Sequence, residues 1–357
     1  MKIESWQTSV VRVVYDEAVP GLHIVLRLRT DEGVEGLAYI SKLRNPKAVL
    51  AILDAYLEQL VGQDPLLGEA LFGRLARRGR LSGLEAVAAS GIDVACWDIK
   101  GKVAGLPLYK LMGGVRDRVP CYASWRIEPG GVVAGQRAGQ LSENVDALVK
   151  SAARHVENGF TAMKWHGGPL SGTQAVRHMS LLREAVGEDI DIMVDVNQLW
   201  SVKDSIANMR LLEPLHPYWL EDPASREDFA GLRQVTQAFG TPTCAGETYQ
   251  DVPSFRRLIQ ARAVDIVMVD LDLGLTGALK VAHLAEAFGL PIVPHLATEI
   301  LAHLIAAVPN GLTVEYYPWA IPLFKEVPRV EAGQLVLLDK PGLGLEVDEA
   351  ALRQYAL

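Results

Sequence analysis

From Ile192 to Glu315 the chain repeats one pattern: a short apolar run, an ionisable residue at its end, then a stretch of helical periodicity. The runs are Ile192-Met193-Val194 before Asp195, Tyr218-Trp219-Leu220 before Glu221 and Ile266-Val267-Met268-Val269 before Asp270, followed by Pro291-Ile292-Val293-Pro294 before His295 and Leu312-Thr313-Val314 before Glu315. Runs without polar alternation describe parallel strands buried on both faces. Lys164 with His166, and Glu247, take equivalent places in the series, and Asn197 follows Asp195 by two.

From Asp195 to Glu315 successive ends stand 20 to 26 residues apart, enough for a strand, a loop and a crossover helix. In a parallel βα barrel the C-terminal strand ends converge on one mouth. An acid after a single strand commonly caps the next helix. Recurrence over seven consecutive strands argues instead for one site.

The spacing predicts helices near Asn144 to Glu157, Gly172 to Ala185, Val202 to Leu212, Arg226 to Phe239, Pro253 to Arg262, Thr276 to Phe288 and Thr298 to Val308, with Ser201 and Asp204 set as a capping box. The first third reads differently. Up to about Gly36 the alternation of Val10 to Val14 and Leu22 to Leu28 predicts an antiparallel sheet, and Pro46 to Phe72 and Gly83 to Val103 have helical periodicity. We expect an α+β cap over residues 1–118, a (β/α)7β TIM-type barrel over 119–329, and a tail over 330–357 that packs back on the cap.

A length of 357 residues accommodates both units. The formal charge of −8, without a basic run, speaks against nucleic acid and against an anionic membrane surface. No stretch approaches the apolar length that spans a bilayer, and the N-terminus lacks the layout of a signal peptide, so a cytoplasmic location is expected. Cys96, Cys121 and Cys244 are far apart in apolar settings and are expected to be buried and reduced.

Asp195, Glu221 and Glu247 form an oxygen-only donor set, which suits Mg2+ better than zinc. Asn197 is expected on the same strand face as Asp195, serving the metal or the substrate, and Lys164 and His166 both face the mouth. Asp270 beside His295 has the form of a general base with its orienting carboxylate. A cation between two bases suits removal of the weakly acidic proton next to a carboxylate, with Lys164 and Glu315 stabilising the charge that develops.

The helix Ser90-Gly91-Ile92-Asp93-Val94-Ala95-Cys96-Trp97-Asp98-Ile99-Lys100-Gly101-Lys102, then Gly105-Leu106-Pro107-Leu108 and Leu111-Met112-Gly113-Gly114, together with the strand-end residues above, resembles the mandelate racemase subgroup of the enolase superfamily. The resemblance implies that Asp195, Glu221 and Glu247 hold Mg2+, that Asp270 and His295 are the base dyad, that Glu315 is the last-strand acid and that Lys164 is the first lysine of a K-x-K pair. Here the second lysine is replaced by His166, and the segment from Tyr15 to Gly21 is short and acidic where the subgroup carries a specificity loop. Lys42, Arg44 and Asn45 add further polar groups to the cap, and Asp93 and Trp97 read as packing residues.

The resemblance, with the polar cap, implies an Mg2+-dependent acid-sugar dehydratase acting on a small-molecule carboxylic acid, and the resemblance alone implies a homo-oligomer. An α-hydroxy-acid racemase or epimerase is the alternative, and a barrel that has lost catalysis and serves for binding is the remote one. Whether His166 or His295 removes the proton stays open.

Overall fold

The computed structural model describes residues 1–14, 21–41, 43, 45–75, 81–124, 145–168 and 170–357, except for the side chain of Ala147. The N-terminal sheet is an antiparallel meander of β1 (Ile3–Val13), β2 (Gly21–Thr30) and β3 (Glu35–Ile40). Its inner face packs on α1 (Pro46–Leu60) and α3 (Leu84–Ala104). The predicted helix from Pro46 to Phe72 is two helices, because Gly62 turns left-handed (φ 77°) ahead of Pro65, and α2 (Gly68–Leu75) starts afresh.

Helix α3 is buried on nearly every side, as expected of a helix clasped between two units. Gly36 lets it close on β3, since an added Cβ would lie 2.2 Å from the Ala95 carbonyl. The Asp98 carboxylate accepts from the amides of Leu37 and Leu343, each at 2.8 Å, and from Lys102 Nζ at 2.6 Å, so one buried acid joins sheet, helix and tail. Asp93 accepts from the backbone and hydroxyl of Thr276, to which the Trp97 indole also donates. Asp93 and Trp97 therefore dock the cap on the barrel, the packing role expected of them.

After the short α4 (Leu108–Leu111) comes the barrel. Its described elements are β4 (Arg118–Ser124), α5 (Val145–Glu157), β5 (Ala162–His166), α6 (Gly172–Val186), β6 (Asp191–Asp195), α7 (Val202–Leu212), β7 (Pro217–Glu221) and α8 (Phe229–Thr236). They continue with β8 (Thr243–Ala245), α9 (Val252–Gln260), β9 (Ile266–Asp270), α10 (Gly274–Ala287), β10 (Ile292–His295), α11 (Thr298–Ala307) and β11 (Val314–Tyr316). Parallel pairing runs from β4 through β10, and β11 pairs with β4. A parallel bridge between Ile292 and Gly311 joins the remaining edges, with the Leu312 amide donating to the Ile292 carbonyl at 2.9 Å. The result is the (β/α)7β arrangement.

The helix boundaries differ from expectation in instructive places. Helix α8 starts at Phe229 rather than Arg226, because Asp228 caps it by accepting from the Gly231 amide. The Ser201 and Asp204 capping box of α7 is formed in both directions. The start expected at Asn144 lies outside the described residues.

Beyond the barrel, β12 (Arg329–Glu331) and β13 (Gln334–Val336) add an antiparallel ribbon to β4, and α12 (Glu349–Tyr355) leads to an antiparallel bridge between Ala356 and Val11 of β1. Cys96, Cys121 and Cys244 are all buried and unbridged, and burial pushes the first two thiols up to about 12. Among the described residues no helix is long and apolar enough to cross a membrane.

Candidate active site

The two-residue period of a strand places the chemistry. One inward cluster lines the barrel from β4 to β10, and its members include Ala162, Met193, Trp219, Met268 and Val293. Two residues further along each strand, on the same face, stand Lys164, Asp195, Glu221, Asp270 and His295. The packed interior is thus the floor on which the polar residues sit, at the C-terminal mouth. His166 is one pleat above Lys164, and Glu315 lies within β11, paired in register with Tyr122 rather than following the strand.

Glu247 reaches this layer by another route. Strand β8 ends at Ala245, and Gly246 takes φ 138° with its α-carbon against the Met268 carbonyl, where an added Cβ would stand 2.3 Å away. That kink explains the spacing of three between inward Cys244 and Glu247. Asn197 corrects the expectation of a shared strand face: β6 stops at Asp195, and Asn197 is left-handed (φ 45°). Its backbone N–H and its side-chain amide instead donate to the two Asp195 oxygens, at 2.8 and 2.9 Å.

Lys164 is fully buried, with Nζ 2.7 Å from Glu221 Oε1, 3.0 Å from Glu315 Oε1 and 3.9 Å from Asp195 Oδ2. Burial opposes its charge, but Glu221 and Glu315 outweigh burial and hold the ammonium well above the ordinary lysine range. One cation cannot satisfy every carboxylate. Against burial, Lys164 and His295 lower Glu315 to about 2, whereas burial, with Asp195 and Glu247 adding repulsion, drives Glu221 well above the carboxylate range despite Lys164.

The two histidines stand on strands that β11 and β4 separate on one side of the barrel. His295 Nδ1 is hydrogen-bonded to Asp270 Oδ2 at 2.7 Å, and its Nε2 stands 2.9 Å from Glu247 Oε2. His166 Nδ1 stands 3.0 Å from Asp195 Oδ2. These rings are partly exposed, at 20 % for the His166 side chain and 13 % for His295, while Lys164, Glu221 and Glu315 are sealed beneath them. The expected residues are therefore brought to one mouth.

Asp195, Glu221 and Glu247 offer a hard cation such as Mg2+ an all-oxygen donor set. Asp195 and Glu221 are neighbours in register across β6 and β7, Glu247 follows β8, and repulsion from both Asp195 and Glu247 raises Glu221. Added positive charge is worth most at such a point, and the donors are all oxygen. As the side chains stand, no three His, Cys, Asp or Glu among the described residues gather closely enough to hold a metal, since Glu221 turns to Lys164 and Glu247 to His295. The set fits Mg2+ by donor type and strand placement, with side-chain rotation needed.

Two further residues, Asp222 and Gln198, stand beside the carboxylates without a signal in the strand period. Asp222, buried beside Glu221, is lifted to about 8 by burial, then by Glu247 and Asp195, and it accepts from Gln198 Nε2 at 2.9 Å. Strand alternation sends the residue after an inward Glu221 outward, but φ 48° turns Asp222 off that path. The doublet Glu221-Asp222 and the Asn197-Gln198 pair were the only signals available. Of the cap residues, Asn45 caps α1 by accepting from the Ala48 amide at 3.2 Å, while Lys42, Arg44 and the loop residues 15–20 lie outside the described residues.

Residues 147–351 match the family model described as enolase C-terminal domain-like, and residues 15–113 match the mandelate racemase/muconate lactonizing enzyme N-terminal domain. The chain belongs to the mandelate racemase subgroup of the enolase superfamily. Within the family, it is 33 % identical over 302 residues to the L-talarate/galactarate dehydratase of Salmonella typhimurium, covering 83 % of this chain and 73 % of the relative. A racemase from Streptomyces coelicolor with bound magnesium superposes with a TM-score of 0.90 at 27 % identity, covering 99 % and 100 % of the two chains. L-Talarate dehydratase from Polaromonas, in complex with Mg and L-glucarate, gives 0.88 at 30 %, covering 100 % and 97 %.

Proposed function

We propose that this protein is an Mg2+-dependent dehydratase of an acid sugar, converting it to a 2-keto-3-deoxy acid after removal of the proton α to its carboxylate. The observation that carries the reading is the pair of partly exposed histidines, each with Nδ1 within 3.0 Å of an aspartate oxygen, above the buried Lys164 cluster. The family's dehydratases, such as the Salmonella relative, supply the direction of the choice.

Asp195, Glu221 and Glu247 would hold Mg2+, which when bound supplies positive charge opposite the substrate carboxylate and the enediolate. Lys164, kept protonated by Glu221 and Glu315, places a second fixed positive charge at the floor of the mouth. His295 is the base in this reading. Its Nδ1 is occupied by Asp270, which leaves Nε2 as the proton acceptor once Glu247 turns to the metal. His166, in place of the family's second lysine, protonates the departing hydroxide.

The two histidines also suit a racemase or epimerase, in which His166 returns the proton on the other face. Proton NMR in D2O, with Mg2+ and a panel of aldonic, aldaric and α-hydroxy acids, separates the readings. New 3-deoxy methylene signals support dehydration. Loss of the α-proton signal with the skeleton intact supports the alternative, and tight Mg2+ binding without exchange on any acid returns the chain to a binding role. The cap, barrel and tail boundaries at 118 and 329, a cytoplasmic location and a homo-oligomeric state belong to the same proposal, and light scattering tests the last of them.

A further inference from the structure

The three loops that follow β6, β7 and β8, the strands that bring the carboxylates to the mouth, are joined by one side chain. Gln198 Nε2 donates to Asp222 Oδ2 at 2.9 Å and to Thr248 Oγ1 at 3.4 Å, while its Oε1 accepts from the Arg226 amide at 2.9 Å. Residue 198 follows β6, residues 222 and 226 follow β7, and residue 248 follows β8. One amide therefore spans the loops behind Asp195, Glu221 and Glu247.

The surrounding contacts close the network. The Gln198 backbone N–H donates to the Asp222 carbonyl at 2.9 Å, and the Asp222 N–H to the Cys244 carbonyl at 2.8 Å. Arg226 Nη1 donates to the Thr248 carbonyl at 2.8 Å, and the Tyr249 hydroxyl to the Arg226 carbonyl at 2.6 Å. Asn197, Gln198 and Asp222 are all left-handed, a conformation that residues with a Cβ hold only when contacts fix it. The Gln198 side-chain amide is one of these contacts, and it reaches all three loops.

We propose that Gln198 is a positioning residue that sets the spacing of the three metal carboxylates and thereby makes the site selective for Mg2+ over the larger Ca2+. The inference rests on the metal reading given above. Mg2+ requires near-octahedral oxygens at about 2.1 Å, whereas Ca2+ accepts a looser shell at about 2.3 to 2.6 Å. Three loops tied at fixed separation favour the smaller ion, and three loops freed to spread lose that preference. Gln198 has no need to touch the ion.

The test is calorimetric titration of the full-length protein with Mg2+ and, separately, Ca2+, comparing wild type, Gln198→Ala and the reciprocal pair Gln198→Glu with Asp222→Asn. Loss of such an outer partner is expected to weaken Mg2+ by about 10-fold to 100-fold. Ca2+ should weaken less, so that the ratio of the two affinities falls. The reciprocal pair, in which the Asn amide donates to the introduced carboxylate, should recover much of the Mg2+ affinity. Equal Mg2+ affinity in Gln198→Ala and wild type, or equal loss for both ions, overturns the clamp. A wild-type protein that gives no Mg2+ isotherm overturns the metal reading itself, a result distinct from either.

Discussion

Lys164 Nζ and Glu221 Oε1 lie 2.7 Å apart with neither side chain accessible to solvent. The same ammonium reaches Glu315 at 3.0 Å, so a single buried cation serves carboxylates from β7 and β11. Removing one partner of a buried pair leaves uncompensated charge, which costs about 3–5 kcal/mol. Lys164→Met should lower stability by that order in chemical denaturation with EDTA present. Adding Glu315→Gln should return part of the loss, since it removes one stranded carboxylate. A Lys164→Met protein as stable as wild type would show the cluster to be indifferent to its cation.

His295→Asn should remove the base and keep the metal. General-base catalysis contributes about 10²-fold to 10⁴-fold, and turnover on the true substrate should fall by that much with Mg2+ binding retained. Retained turnover would strip His295 of the role assigned to it.

Gly246→Ala tests the kink that brings Glu247 into the mouth. At φ 138° with the Met268 carbonyl against it, the added methyl forces the turn to move. Strain of this kind costs on the order of 1–3 kcal/mol. Denaturation should show that loss and calorimetry a weakened Mg2+ site, whereas an unchanged isotherm would mean that Glu247 does not depend on the turn.

The periodic part of the molecule could be read from the chain, and the turns could not. Apolar runs at near-constant spacing fix β6, β7, β9 and β10 because a strand buried on both faces tolerates little else. Lys164, Asp195, Glu221, Asp270 and His295 followed from the same period. Asn197, Asp222 and the exit of β8 escape it because their placement depends on left-handed or kinked backbone, which no hydrophobic pattern records. Glu315, expected after its strand, sits inside β11, where Thr313 lies ahead of the strand and its hydroxyl donates to the Pro120 carbonyl.

Two buried histidines outside the strand-end cluster, His23 and His303, make the fold more sensitive to acid. His303 receives the Tyr109 amide at Nδ1 (3.3 Å) and stands 3.2 Å from the Leu343 carbonyl at Nε2, an arrangement that suits the neutral ring. Burial lowers His303 and His23 from 6.5 to about 4. The unfolded chain therefore binds these protons first as pH falls, and stability drops between about 6.5 and about 4 by on the order of 3 kcal/mol per histidine. Asp93, lifted by burial from 3.8 to about 6, acts in the opposite sense over part of that window, and Asp222, lifted to about 8, and Glu221, held well above the carboxylate range, do so across all of it. The check is the difference between variants: from about 6.5 to about 4 the His303→Gln protein should lose less stability on acidification than wild type in denaturation at stepped pH. An equal loss in the variant would mean that His303 is protonated in the folded state.

Asp98 binds the amide of Leu343 from a distance of 245 positions along the chain. During synthesis the helix that carries it emerges long before its partner, so the barrel strands are all made while the cap is still unfinished. No single cleavage can release an intact cap, because its material comes from both sides of the barrel. The order in which the ribosome delivers the chain thus lets the Asp98–Leu343 contact form only after every barrel strand has been made.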